Sequence, residues 1–315
     1  MNRRAVSQTL SLLFPVLALA LSSCSQNGSS VSAQTIPPPI TLSGLPRPTA
    51  GEVVTTPATT EAPTTTQEPT TAVEPTTTTE APTTTVEPTT TTIPLPSNVE
   101  IVGPAETGLQ AVGGHSGEAT AVIQARLLQL GFWNSGADGD YGFSTKQAVM
   151  AFQKYLGLPP NGLVDQTTAD YLANFVERGH AAADTGTLVE VDKAKQLLFV
   201  VVDGKTQWTF NTSTGSGIPY EAQNKNDPTK IESGDAITPD GLFRTTRERP
   251  EGWWEGDLGK IYRPKYFVGG IAVHGMTSVP NHPASHGCVR LSTQAMDFIW
   301  DQNLMPMRIP VWVHS

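Results

Sequence analysis

Apolar positions follow two different periods in the later part of this chain. Between Ala119 and Phe175 they recur at helical spacing. Ile123, Leu127 and Leu130 make one stripe, and Gly131 ends it. Asp138-Gly139-Asp140-Tyr141-Gly142 marks a turn, and Ser144 stands where an N-cap is expected for a second helix carrying Ala148, Phe152 and Tyr155. Asn161-Gly162 marks another turn, and Thr167 to Phe175 begins a third helix. The segments DGDYGFST and NGLVDQTT align as a short internal repeat. From Thr187 the pattern changes. A Val- and Phe-rich run leads into Asp203-Gly204, a two-residue hairpin signal. Strand-like patches return at Gly241 to Thr245, Tyr266 to His274 and Arg308 to Val313, separated by Gly, Pro and Asn clusters. Only Thr293 to Gln302 reads as helix there, so this second domain is expected to be mainly β.

The first third follows neither period. TTEAPTTTQEPTT from Thr59 recurs as TTEAPTTTVEPTT from Thr78. Thr and Glu with regular Pro bury too little apolar surface to offset the entropy of ordering, so the reading is a disordered Thr/Pro/Glu-rich linker. In a polyproline-like conformation Thr55 to Pro96 would reach on the order of 130 Å at ~3.1 Å per residue. Whether this stalk is O-glycosylated is left open by composition. Ahead of it, Arg3 and Arg4 precede an apolar run from Leu10 to Leu21, broken by Pro15 and short for a membrane span, which reads as an export signal. Leu21-Ser22-Ser23-Cys24 is similar to the bacterial lipobox, whose Cys is acylated. The expected organisation is a lipoprotein-type signal peptide at 1–23, a lipidated Cys24 with linker at 24–110, a helical domain at 111–180 and a β domain at 185–315.

The formal net charge is −9. From Ser25 to Gln110 there are eight Glu and one Arg, whereas acids and bases nearly cancel from Thr185 to Ser315. The charge therefore belongs to the tether. No basic stripe points to nucleic acid.

Chemistry concentrates between Ile271 and Ser292. His274, His282, His286 and Cys288 fall within fifteen residues, and the chain's only other Cys is Cys24. With Cys24 lipidated, Cys288 has no disulfide partner in the chain. A free thiol has a pKa of about 8.5, so a nearby imidazole must take its proton for it to act as a nucleophile at neutral pH. Gly287 would let backbone amides approach a reacting carbonyl and form an oxyanion hole. Three His and one Cys are also adequate zinc ligands, but their spacing matches no common structural zinc pattern. An inert buried Cys would leave the neighbouring His unexplained. His282, between Pro280 and Pro283, reads as a surface or lid residue.

Ser285-His286-Gly287-Cys288, preceded by His274-Gly275, resembles the signature of L,D-transpeptidase (YkuD-like) domains. The resemblance extends over Thr187 to Val313 and includes Ser213-Thr214-Gly215, Thr238-Pro239-Asp240-Gly241-Leu242-Phe243 and the segment from Tyr262 to His274. The loop between His274 and Ser285 is shorter than in many members, and Arg290 stands where some have Asn. The helical segment, with FQKYLGLPPNGLVDQTT, resembles three-helix peptidoglycan-binding domains. These resemblances imply a cysteine-dependent acyltransferase, exported and lipid-anchored to the outer face of the cytoplasmic membrane, that cross-links peptidoglycan stem peptides in cell-wall biogenesis. They imply a need for neither metal nor organic cofactor, acylation of Cys288 by carbapenems, His274 as base, and His286 near the oxyanion site. Ser285 and Arg290 are candidate substrate-binding residues. Arg290 could orient a carboxylate or form a structural salt bridge, and Trp253 and Trp254 could line a groove or pack under a loop. An L,D-carboxypeptidase using water as acceptor, and a catalytically silent wall-binding lipoprotein, remain the alternatives.

Overall fold

In the computed structural model, which describes residues 97–225 and 227–315, the helical period forms α1 (Glu118–Gln129), α2 (Phe143–Leu156) and α3 (Gln166–Asn174). The expected export signal, Cys24 and the Thr/Pro repeats lie outside the described residues. The two echoing turns place Gly142 and Asp165 at equivalent positions, and these are the N-caps of α2 and α3. The Asp165 carboxylate accepts the Thr168 amide at 2.8 Å. Ser144 is not the cap expected of it. It lies inside the first turn of α2, and its hydroxyl accepts the Ser135 amide at 2.6 Å.

Residues 97–110, which the sequence assigns to the linker, are laid against the helices. The Val102 amide donates to Val176 O and the Ala105 amide to Ala173 O, both at 2.7 Å, and Leu109 enters the helical core. Asn98 is buried, and its Nδ2 donates to Ala181 O at 2.8 Å and Ala183 O at 3.3 Å.

The β domain contains β1 (Leu188–Asp192), β2 (Leu197–Val202), β3 (Lys205–Asn211), β4 (Pro219–Gln223), β5 (Ile231–Asp235), β6 (Gly241–Arg244), β7 (Arg247–Glu248), β8 (Trp253–Gly256), β9 (Gly259–Val268), β10 (Ile271–Met276), β11 (Val289–Ser292), α4 (Thr293–Asp301) and β12 (Pro310–His314). One sheet runs β3-β2-β1-β12-β6, and a second runs β11-β10-β9-β7 with β8 also on β9. A separate hairpin pairs β4 with β5. Val189, Val191, Val200 and Val311 from the first sheet meet Phe267, Val273 and Leu291 from the second, and Met296 and Ile299 of α4 complete this core. Asp203 and Gly204 both take left-handed φ, 50° and 77°, as the β2–β3 hairpin requires. The patch read as one strand from Tyr266 to His274 is instead a hairpin. The chain turns at Gly269, φ 51°, so that Ile271 pairs with Val268.

The helical and β domains share a strand. β2, Leu-Leu-Phe-Val-Val-Val, is buried almost throughout, as a strand covered on both faces must be. Leu197, Phe199 and Val201 belong to the core with α1–α3, whereas Leu198 and Val200 belong to the core between the sheets. In return Trp133, from the loop after α1, packs with Phe210 and Phe298 at ring separations of 5.7 and 5.2 Å.

Candidate active site

β10 and β11 run parallel, with His274 opposite Arg290. Side chains alternate along a strand, so Cys288, immediately before β11, shares a face with Arg290 two residues on. His274 and Arg290, directly opposite in register, share that face too. The three residues line one cavity of about 280 Å³, with His286, Ser285 and Tyr220 also on its wall.

Cys288 is partly exposed, and its Sγ accepts the Ala272 amide at 3.4 Å. Burial pushes the thiol pKa up, while the Ala272 amide and the Arg290 charge pull it back. His274 is 2% exposed. Its Nδ1 lies 3.0 Å from Gly275 O. A carbonyl only accepts, so this bond places the proton on Nδ1 and leaves a lone pair on Nε2 of the neutral ring. Burial lowers the His274 pKa to about 4, partly offset by the Gly275 carbonyl and furthered by Arg290. Both shifts favour the uncharged forms, the thiol and the neutral imidazole.

Ser285 organises the turn that leads into Cys288. Its hydroxyl donates to Cys288 O at 2.5 Å and accepts the Gly287 amide at 3.1 Å. Thr238 Oγ1 donates to Gly287 O at 2.7 Å. Gly287 has φ +122°, and a Cβ there would come within 2.9 Å of Ile237 O, so the turn excludes a side chain. The Gly287 amide is thus occupied by Ser285. The Cys288 amide has no acceptor among the described residues and is free to donate to a ligand. His286 is exposed and meets Tyr220 edge to face, with centroids 5.2 Å apart.

The strip after β3 holds this turn in place. Thr214 O accepts the amides of Ala284 and Ser285, both at 3.0 Å, and the Arg290 amide donates to Ser213 O at 3.0 Å. The Arg290 guanidinium is half-buried and forms no ion pair or hydrogen bond among the described residues, which leaves its fork free for an anionic group. The salt-bridge alternative for Arg290 is therefore not what the side chain does here.

Other expectations fall away from the cavity. His282 is exposed and lies 3.0 Å from Asn281 Oδ1. Trp253 and Trp254 are exposed on β8 and outside the cavity lining. Trp253 stacks on Tyr262 at 5.2 Å, and the Arg249 guanidinium lies 3.5 Å over the Trp254 ring. Conversely, Tyr220, Asp235 and Lys260 line the cavity without having been expected there. They lie on hairpins whose alternation is exposed and carries no chemical motif.

Residues 186–313 match the L,D-transpeptidase catalytic domain (YkuD) family, and residues 116–172 match the peptidoglycan binding domain family. The crystal structure of an L,D-transpeptidase (residues 123–326) from Xylanimonas cellulosilytica is 40% identical, with a TM-score of 0.58, over 67% of this chain and all of that one. The chain belongs to the L,D-transpeptidase family. It is also 44% identical over 59 residues to a spore cortex-lytic enzyme of Oceanobacillus iheyensis, covering 19% of this chain and 21% of the relative. A spore cortex-lytic enzyme of Bacillus cereus is 35% identical over 74 residues, covering 24% of this chain and 29% of the relative. These matches span under a third of the curated relatives' length.

Proposed function

We propose that this protein cross-links peptidoglycan stem peptides by a two-step acyl transfer, with Cys288 as nucleophile and His274 as base. The observation that carries the reading is one cavity lined by both a partly exposed thiol, Cys288, and a buried imidazole, His274. The Nδ1 of that imidazole is fixed by Gly275 O, and both groups share the cavity with the unpaired Arg290. His274 Nε2 takes the thiol proton as Sγ attacks the carbonyl of the third stem residue, diaminopimelate. The tetrahedral oxyanion receives the free Cys288 amide, with His286 at the cavity wall as the orienting or transition-state group. On collapse the C–N bond to terminal D-alanine breaks, and the imidazolium returns its proton to the leaving amine. A thioester remains. An amine of a neighbouring stem then attacks it, loses its proton to His274 and releases Cys288 as the thiol.

The cavity's charges suit such a substrate. Arg290 offers a bidentate site for a carboxylate. Asp235 and Lys260 line the same space with opposite charges, Lys260 also standing opposite Glu255 across β8 and β9, an arrangement that fits the zwitterionic end of diaminopimelate. Ser285 acts here by shaping the Gly287 turn. The helical module holds the enzyme on the wall and raises local substrate concentration, and Cys24 carries the lipid that anchors the chain to the outer face of the cytoplasmic membrane. A carbapenem presents a strained acyl group to the same thiol and should form a covalent adduct on Cys288.

The test is incubation of the purified protein with disaccharide-tetrapeptide, followed by mass spectrometry of the products. Cross-linked dimer with D-alanine release is the expected result. Tripeptide monomer alone would make the enzyme an L,D-carboxypeptidase. No turnover together with no carbapenem adduct would leave only the wall-binding role.

A further inference from the structure

α2 belongs to the helical module, yet it holds the catalytic turn from behind. Gln147 and Lys154 are seven residues apart, two helical turns, and so lie on one face of the helix. Both side chains are buried, at 6% and 8% exposure. Gln147 Nε2 donates to Val279 O at 3.2 Å, in the loop between His274 and Ser285, and its Oε1 accepts Asn211 Nδ2 at 2.6 Å. Lys154 Nζ donates to Gln196 O at 3.2 Å and to Thr212 O at 3.0 Å. A third link comes from Asn281 Nδ2, which donates to Pro160 O of the module at 2.9 Å.

The two carbonyls that Lys154 binds lead directly to the nucleophile. Gln196, at φ 55°, grips Thr214 with both ends of its amide. Its Nε2 donates to Thr214 Oγ1 at 2.7 Å, and its Oε1 accepts the Thr214 amide at 2.8 Å. Thr214 O takes the amides of Ala284 and Ser285, and Ser285 holds the Cys288 carbonyl. Thr212 Oγ1 donates to Arg290 O at 2.8 Å.

We propose that Lys154 and Gln147 of the helical module are positioning residues for Cys288, so that the module forms part of the catalytic framework as well as a wall-binding unit. An ammonium placed at a domain seam is costly unless its donors are satisfied. Burial lowers its pKa to about 7. A Leu or Met would fill the same space without that cost. What the ammonium adds is two directed bonds, one to the β1–β2 turn, whose Gln196 side chain holds Thr214, and one to Thr212 at the start of the strip that carries Thr214.

The test uses the full chain and the thiol itself, and therefore does not depend on which substrate the cavity takes. Lys154→Met should leave the amides of α1, α3 and β1 as protected from hydrogen exchange as in the parent. It should accelerate exchange at Ala284 and Ser285 by about tenfold or more, and change the rate of Cys288 alkylation by iodoacetamide by at least threefold. Gln147→Met, which loses only the Val279 and Asn211 bonds, should act in the same places. It stands in if Lys154→Met does not fold. Acceleration shared by all amides would mark these residues as ordinary stabilisers of the seam and overturn the proposal. So would faster exchange at Ala284 and Ser285 with alkylation within twofold of the parent, or no change in either readout.

Discussion

Phe199 and Val200 are neighbours in β2 and belong to different hydrophobic cores, Phe199 to that of the three helices and Val200 to that between the two sheets. The alternation of a strand puts successive side chains on opposite faces, and here each face is roofed by a different domain.

The residues 97–315 should therefore unfold in one cooperative transition, and a fragment limited to 185–315 should expose the Leu197, Phe199 and Val201 face and aggregate. Phe199→Ala should cost about 3–5 kcal/mol, the range for deleting a buried aromatic side chain. Chemical denaturation followed by tryptophan fluorescence measures both. Two separated transitions in the parent protein would contradict the shared-strand reading.

Cys288→Ser should keep the thermal midpoint within a degree or two, since one atom changes at a partly exposed position. It should lose turnover by about a thousandfold or more, as removal of a nucleophile does elsewhere. Intact-mass measurement with a carbapenem should show an adduct on the parent and none on the variant. An adduct on the serine variant would move the nucleophile to another residue.

His274 makes stability depend on pH. Its folded pKa, about 4, lies below the unfolded value of 6.5, so between those values the unfolded chain binds more protons. Stability should be full above pH 6.5 and fall as pH drops toward 4, by on the order of 3 kcal/mol, at 1.36 kcal/mol per pKa unit. His274→Gln should flatten that part of the curve. Because burial pushes the thiol up, alkylation of Cys288 should keep rising into the alkaline range. A rate already flat from pH 5 to 8 would instead indicate a preformed thiolate–imidazolium pair.

Arg290→Gln tests the proposed anion site. A hydrogen bond to a charged group contributes about 1.5–3 kcal/mol, so KM for a carboxylate-bearing donor should rise by roughly 10–150-fold. Alkylation by uncharged iodoacetamide at pH 9 should change far less. Equal losses in both assays would assign Arg290 to the thiol rather than to the substrate.

Much of this is legible in the sequence. Ile123, Leu127 and Leu130 have a helical period, Asp203-Gly204 has the conformational freedom of a tight hairpin, and His274, Cys288 and Arg290 fall in one short stretch. What escaped was long-range. Gly269 and Gly270 interrupt an apolar run whose residues are equally suited to one strand or two, and only the pairing of Ile271 with Val268 decides. Ser144 has the right side chain for a cap, but the helix begins one residue before it. The burial of Gln147 and Lys154 depends on partners 42 to 132 residues away, in Gln196, Thr212 and Val279, which a local pattern cannot report. Tyr220, Asp235 and Lys260 reach the cavity only because two hairpins fold back toward it. One signal was available and not used: six successive apolar residues in β2 require cover on both faces, and the nearest source of it was the helical module.

The seating of Asn98 has a mechanical consequence. Its amide is bonded to Ala181 and Ala183, in the crossing from the last helix to the first strand, and the residues that follow are pinned along 173–178. A pull arriving along the chain from residue 97 meets this junction first. The load enters between the two domains and is shared by both, in shear against a row of backbone hydrogen bonds, instead of peeling α1 away from one end.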